Sequence, residues 1–179
     1  GIIMAHGTFT VAGKGGFNGK WASIERNTED GIEILMESAH VTESSLAAPI
    51  DFASVERVPT PTTTDYGNAA KFEEAMNRII TNYTKGATTG DATLIASTFT
   101  SDGIQIVSRQ DEALHGRTAI EEAISASFSA DDYTPETLSA KTLRMRKVTD
   151  SLLIANGTWQ VADKEGQITR FGQWGNIFE

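Results

Sequence analysis

The sequence lacks cysteine, long apolar runs and an excess of basic residues, and each absence removes a class of function. With no cysteine among 179 residues, the chain forms no disulfide, thiolate metal site or iron–sulfur cluster. Its apolar runs, such as Leu152–Ala155, are far shorter than the about 20 residues of a membrane helix. Only 15 basic residues against 24 acidic ones give a net charge of −9, which disfavours binding to nucleic-acid phosphates. The first residues do not have the pattern of a signal peptide. We therefore expect a soluble, cytoplasmic protein whose partners are small molecules or other proteins, with no nucleic acid and no membrane.

An internal repeat is the most informative pattern that is present. It pairs residues 5–12 (AHGTFTVA) with 155–162 (ANGTWQVA), and residues 19–24 (GKWASI) with 172–177 (GQWGNI). Both copies alternate apolar and polar residues as half-buried strands do. The glycine- and lysine-containing segments 13–16 and 163–166 predict hairpin loops between these strands. We predict a three-strand meander over residues 1–42.

A change of composition follows the meander. Residues 44–65 contain repeated proline, threonine and serine, which predicts an extended linker. After it, six apolar residues fall on one face of a predicted helix; they are Phe72, Ala75, Met76, Ile79, Ile80 and Tyr83. Gly86 to Gly90 should end this helix.

Two shorter helices and a set of strands complete the prediction. Asp91 is a suitable N-cap for the second helix, and Thr118 with Glu121 forms a predicted capping box for the third. The predicted strands are 103–108, 112–115, 137–149, 152–162 and 167–178.

This order of elements, with four local motifs, resembles the nuclear transport factor 2-like superfamily, in particular its SnoaL-like cyclases and ketosteroid isomerases. The motifs are Tyr83, Gly90-Asp91, Phe99-Thr100-Ser101-Asp102-Gly103 and His115-Gly116-Arg117-Thr118-Ala119-Ile120. The resemblance covers about residues 68–179, and residues 1–43 look like the final strands of a second, partial copy. It implies an α+β fold in which a cone-shaped, curved antiparallel sheet wraps around a long helix, with the meander as an N-terminal addition. The predicted domains are therefore 1–43, a linker at 44–65, and a domain at 66–179 that lacks its last strand.

The family's isomerase chemistry is not expected here. At the position of the general-base carboxylate the chain has Val107, and at the position of the oxyanion donor it has Gly175. An isopropyl group removes no proton. Tyr83 alone keeps the family pattern.

Three kinds of function remain open. The first is binding of a small hydrophobic molecule in an apolar cone cavity, where Gly157 and Gly175 leave space. The predicted lining residues are Met76, Tyr83, Phe99, Val107, Trp159 and Phe171. The second is a cyclase, isomerase or hydrolase that uses Asp102, Tyr83 or His40. Each of these three also has an ordinary structural role open to it, in a turn, in packing and near a strand end.

The third kind is an oligomerisation or interaction module. Residues 31–42 resemble the closing strand that the C-terminal domain lacks, so we expect them to supply it, within the chain or in a homodimer or higher oligomer. The histidines have no metal-ligand spacing, and we expect neither a metal nor a cofactor.

Overall fold

Three N-terminal strands form an antiparallel meander. In the computed structural model, which describes residues 1–56, 63–130 and 136–179, these strands are β1 (Ile2–Val11), β2 (Phe17–Thr28) and β3 (Gly31–Val41). They pair in the order β1-β2-β3. Gly13, Gly15 and Gly31 have positive φ in the two turns, a conformation in which glycine is not strained. The predicted meander is confirmed.

The predicted long helix is also confirmed. A 3-10 turn at Gly67–Phe72 runs into α1 (Glu73–Thr89). The helix ends within the predicted segment, at Gly90, which takes the left-handed conformation. Gly86 itself is still helical, and its missing Cβ gives room to Ile95, whose Cγ1 lies 2.7 Å from where that Cβ would be.

The two later helices, α2 (Ala92–Ala96) and α3 (Arg117–Phe128), begin differently from each other. Asp91 caps α2 as predicted, since its Oδ1 accepts a hydrogen bond of 2.8 Å from the Leu94 amide. The capping box predicted for α3 is wrong. Gly116 occupies the N-cap position, and the Glu121 carboxylate accepts a bond from the Thr93 hydroxyl at 2.6 Å.

Two short strands, β4 (Ile104–Gln105) and β5 (Leu114–His115), pair with each other and are shorter than predicted. A three-stranded antiparallel sheet then follows in the order β6-β7-β8. Its strands are β6 (Thr137–Lys147), β7 (Leu153–Ala162) and β8 (Ile168–Phe178). The fold class is α+β, as predicted.

By its contacts the chain divides into two compact units. The N-terminal unit contains Gly1–Ile50 and Gln105–Leu114, and the C-terminal unit contains Asp51–Ile104 and His115–Glu179. The segment Gln105–Leu114, from the middle of the chain, therefore belongs to the same unit as the first 50 residues. The domain boundaries predicted at residues 43 and 66 stay a prediction.

The predicted linker lies in part outside the described residues, at 57–62. At its far end, Asp65 pairs with β6 through two backbone bonds of 2.8 Å, to Leu143 and from Met145. No described helix is long and apolar enough to cross a membrane.

Candidate functional site

The side of the sheet β6–β8 that faces α1 carries the core of the C-terminal unit. Met145 of β6 pairs with Ala155 of β7, and both are buried against Met76 of α1 and Ala69. Because directly paired residues of antiparallel strands point to the same side, this pair defines what we call the inner face of the sheet.

Two tryptophans lie over two glycines on this inner face. Trp174 is paired with Gly157, and Trp159 with Gly172. A Cβ on Gly157 would lie 2.5 Å from the Trp174 ring and 2.1 Å from the carbonyl oxygen of Lys141. The expectation that Gly157 leaves an empty space is therefore wrong, because the Trp174 indole occupies it.

Both indoles are also held by the backbone of the neighbouring strand. Trp159 Nε1 donates to the carbonyl of Gln173 at 3.2 Å, and Trp174 Nε1 donates to that of Thr158 at 3.3 Å. These bonds fix the orientation of each ring across the hairpin.

One polar atom of the inner face is buried without a partner. Thr142 is directly opposite Gly157 and only 5% exposed. Its Oγ1 has no hydrogen-bond partner among the described residues. Leaving such a group unsatisfied costs about 1–3 kcal/mol, so this hydroxyl calls for an explanation. The sequence pattern did not single it out, because a threonine in a strand is commonplace.

The predicted ligand-lining residues are not all brought together. Met76 and Trp159 lie on the inner side of the sheet. Tyr83 of α1 contacts Phe99, with 6.5 Å between the ring centroids. Phe171, however, is paired with Gln160 on the opposite face of the sheet and contacts Phe52 there.

Val107 belongs to the N-terminal unit, whereas the other five predicted residues belong to the C-terminal unit. Two open depressions stand out on the surface of the described residues, and neither is lined by any of the six predicted residues. One of them, of about 500 Å³, lies within the N-terminal unit and is rich in hydroxyl groups. Its lining residues are Thr8, Phe9, Thr10, Asn18, Gly19, Thr42, Ser44, Ser45 and Asp111.

The three candidate catalytic residues belong to different elements, and one of them belongs to the other unit. Asp102 is exposed in the turn after α2, where the Gly103 amide donates to the Thr100 carbonyl. Tyr83 is half-buried in α1 of the same unit, and His40 belongs to the N-terminal unit. That these residues act together in catalysis stays a prediction.

His40 has a polar environment that the sequence did not predict. Its Nε2 lies 3.0 Å from the Ser38 hydroxyl, and it is paired with Lys20 across β2 and β3. Burial, and secondly the nearby charge of Lys20, lower the pKa of His40 below its usual value. A neutral imidazole is thereby favoured near neutral pH.

Lys20 itself is only 2% exposed. Its ammonium donates to Thr42 Oγ1 at 3.2 Å and to the carbonyl of Gln110. Burial lowers the pKa of Lys20, and the charge of Asp111 partly opposes this effect. No sequence signal distinguished this lysine, because an alternating strand normally exposes one. The described residues contain no group of three or more metal-ligating side chains.

The long helix followed by a short helix, a two-stranded ladder, a third helix and a three-stranded meander is the arrangement of the nuclear transport factor 2-like fold. The chain has this fold, as the resemblance in its sequence predicted. No family model and no curated protein matches the chain.

Several solved structures of other proteins are similar to this chain. A protein from Catenulispora acidiphila is 16% identical with a TM-score of 0.50, and the match covers 62% of this chain and 80% of that one. The protein Aln2 from a Streptomyces species is 16% identical, with a TM-score of 0.42 over 65% and 76% of the two chains. A ketosteroid isomerase-like protein from Erwinia carotovora atroseptica is 12% identical, with a TM-score of 0.45 over 60% and 82%. At such identities a likeness concerns the fold alone.

Proposed function

We propose that this chain binds a small, largely apolar molecule with one hydrogen-bonding group on the inner face of β6–β8. The observation that carries this proposal is the buried hydroxyl of Thr142, which has no partner among the described residues. A ligand oxygen or nitrogen would satisfy it, since a hydroxyl both donates and accepts.

The surroundings of Thr142 suit an apolar ligand. The inner face combines aromatic and thioether side chains, namely those of Trp159, Trp174, Met76 and Met145. Ligand sites are typically apolar with a few placed polar groups. Methionine side chains repack at low cost, so the ligand would enter by displacing them rather than by filling a preformed cavity.

Thermal unfolding with a panel of flat hydrophobic compounds, with and without a hydrogen-bond acceptor, tests the proposal. At a hundredfold excess over the dissociation constant, a ligand of the native state stabilises it by about 2.7 kcal/mol. We expect acceptor-bearing compounds to raise the melting temperature and Thr142→Val to abolish their advantage. Thr158→Val, on the face of β7 opposite to the inner face, is the matched control. It should keep the larger rise in melting temperature that acceptor-bearing compounds give. If no compound shifts the unfolding of the unmodified chain, the proposal fails.

A second candidate function is assembly through the edge of β8. In the meander, β2 has β3 on its far side, whereas β8 has only β7 as a described neighbour. The sequence of β8 resembles that of β2, so its edge suits a strand like β3. We propose that β3 of a second copy leaves its own β2 and pairs there in the same register, giving a strand-exchanged homodimer.

The absence of native cysteine makes this pairing testable by disulfide trapping. Gln173 is the counterpart of Lys20, which is paired with His40. We therefore expect the double variant Gln173→Cys/His40→Cys to give a disulfide-linked dimer on a non-reducing gel. A control that carries Gln160→Cys in the central strand β7 instead should not. A monomer in sedimentation velocity, with no trapped dimer, would contradict the assembly function.

A further inference from the structure

The two hairpins that carry the repeat share their cross-strand packing. In β1–β2, Trp21 lies over Gly7 and Phe9 lies over Gly19. In β7–β8, two aromatic rings lie over two glycines at the equivalent positions, 150 to 153 residues later. This shared geometry supports the predicted repeat, and it identifies which side of the meander corresponds to the inner face of β6–β8. We call that side the tryptophan face; its members include Ile3, Gly7, Phe9, Val11, Trp21, Ile32 and Ile34.

Equivalent positions on the two faces differ in exposure. Val161 is 7% exposed on the inner face, whereas its counterpart Val11 is 43% exposed. Leu153 packs against the core that α1 covers, whereas its counterpart Ile3 is 37% exposed. This difference in exposure follows from the position of α1. The helix lies on the inner face of β6–β8, whereas no described α-helix belongs to the N-terminal unit.

The exposed apolar side chains of the meander gather on this face. Ile32 and Ile34 of β3 are each 61% exposed, and Ile34 lies in one cross-strand row with Ile3 and Glu25. Of the strongly exposed large apolar residues of β1–β3, Met4 alone lies on the opposite face. Contiguous exposed apolar surface commonly marks an interaction site.

We infer that the tryptophan face binds an amphipathic helix of a partner polypeptide, in the way that α1 covers the inner face of β6–β8. The length of such a helix is compatible with the length of the strands on this face. A helix of 17 residues such as α1 is about 25 Å long, and a strand of ten residues such as β1 is about 33 Å long.

The helix comes from another polypeptide rather than from a second copy of this chain. Both long described helices already have their apolar sides buried, with Met76 of α1 at 2% and Ile120 of α3 at 0% exposure. A second copy would have to unfold its own core to release either of them.

The charge of the face sets a further property of the partner. Glu25 and Glu37 lie on the tryptophan face among the apolar residues. A helix whose apolar stripe is flanked by lysine or arginine therefore complements it. Residues 66–90 of this chain, which contain α1, combine an apolar stripe with three basic residues, Lys71, Arg78 and Lys85, against two acidic ones, Glu73 and Glu74.

A labelled synthetic peptide of residues 66–90 is therefore a suitable probe for the full-length chain, with binding measured by fluorescence anisotropy. We expect saturable binding that weakens at least tenfold with Ile34→Asp or Ile3→Asp in the protein. Met4→Asp is the matched control, since Met4 neighbours Ile3 on the same strand but lies on the other face, and it should change affinity less than twofold. A peptide carrying Met76→Asp should not bind.

Three results would overturn the inference. The first is that the peptide does not bind. The second is that it binds equally to the Ile34→Asp and Met4→Asp variants, which indicates displacement of α1. The third is that Ile34→Asp converts a dimer to a monomer without any peptide binding, which makes the face a contact between copies.

Discussion

The two glycines that lie beneath tryptophans provide a quantitative test of the packing described above. A Cβ on Gly157 would lie 2.1 Å from a backbone oxygen of β6, that of Lys141, and 2.5 Å from the Trp174 ring. Carbon atoms in contact prefer about 3.5–4.0 Å, so the backbone of β6 would have to move by roughly 1 Å or more. The three atoms nearest to a Cβ on Gly7 all belong to the Trp21 ring, at 2.9 to 3.1 Å, and a side chain yields more easily than a paired strand.

These contacts give different expected costs for the two alanine substitutions. Overpacking costs about 1–3 kcal/mol, while replacing a strand glycine regains about 0.5–1 kcal/mol of backbone entropy. We expect Gly157→Ala to reduce the free energy of unfolding by about 2 kcal/mol and Gly7→Ala by less than about 1 kcal/mol. At about 2–4 °C per kcal/mol, Gly157→Ala lowers the melting temperature by about 4–8 °C.

The assay is thermal unfolding followed both by circular dichroism and by tryptophan fluorescence, since the two compact units need not unfold together. Equal losses of unfolding free energy in Gly157→Ala and Gly7→Ala would refute the reasoning that an obstructing backbone costs more than an obstructing side chain. A stabilised Gly157→Ala would show that the position has free space, as the sequence first suggested.

Three other predictions concern the cap, the core and pH. Asp91→Ala removes the bond to the Leu94 amide and should cost about 1 kcal/mol in urea unfolding; an unchanged midpoint would contradict the cap. Ile120→Ala, at a fully buried site, should cost about 2–5 kcal/mol by the same assay, whereas a loss below about 1 kcal/mol would contradict its place in the core. The pKa of His40 is lowered in the folded state, so the unfolded chain binds its proton more readily and stability falls as pH drops below about 6.5. His40→Gln should flatten the urea midpoint between pH 7 and pH 5 relative to the unmodified chain, and equal slopes would contradict the burial of His40.

Local pattern was sufficient for the strands and the long helix but not for contacts distant in sequence. The alternation around Trp159 and the stripe around Met76 predicted their elements because each depends on neighbours within one strand or helix. Local pattern placed the end of α1 between Gly86 and Gly90, but it did not show that Gly86 makes room for Ile95. Thr118 was misread as a cap because nothing local showed that Glu121 would bond to Thr93.

The candidate site was harder to predict for the same reason. Phe171 was assigned to the same wall as Trp159, but the pairing of β7 with β8 places it on the other side of the sheet. A pairing register is a relation between two strands, and the sequence of one strand does not contain it. The burial of Lys20 depends on Gln110, 90 residues further along the chain, and no window of sequence joins the two.

The membership of Gln105–Leu114 in the N-terminal unit has a consequence for how the protein reaches its native state. The bond from Lys20 to Gln110 closes a loop of 90 residues, and contacts between such distant residues slow folding because chain entropy is lost before they form. During synthesis, β1–β3 therefore emerge from the ribosome well before the segment that completes their unit. At about 5–20 residues per second, they wait roughly 4 to 15 seconds for the 73 residues that follow Val41, up to and including Leu114. Over that interval β1–β3 lack the segment that completes their unit, so we expect the nascent chain to be open to premature association.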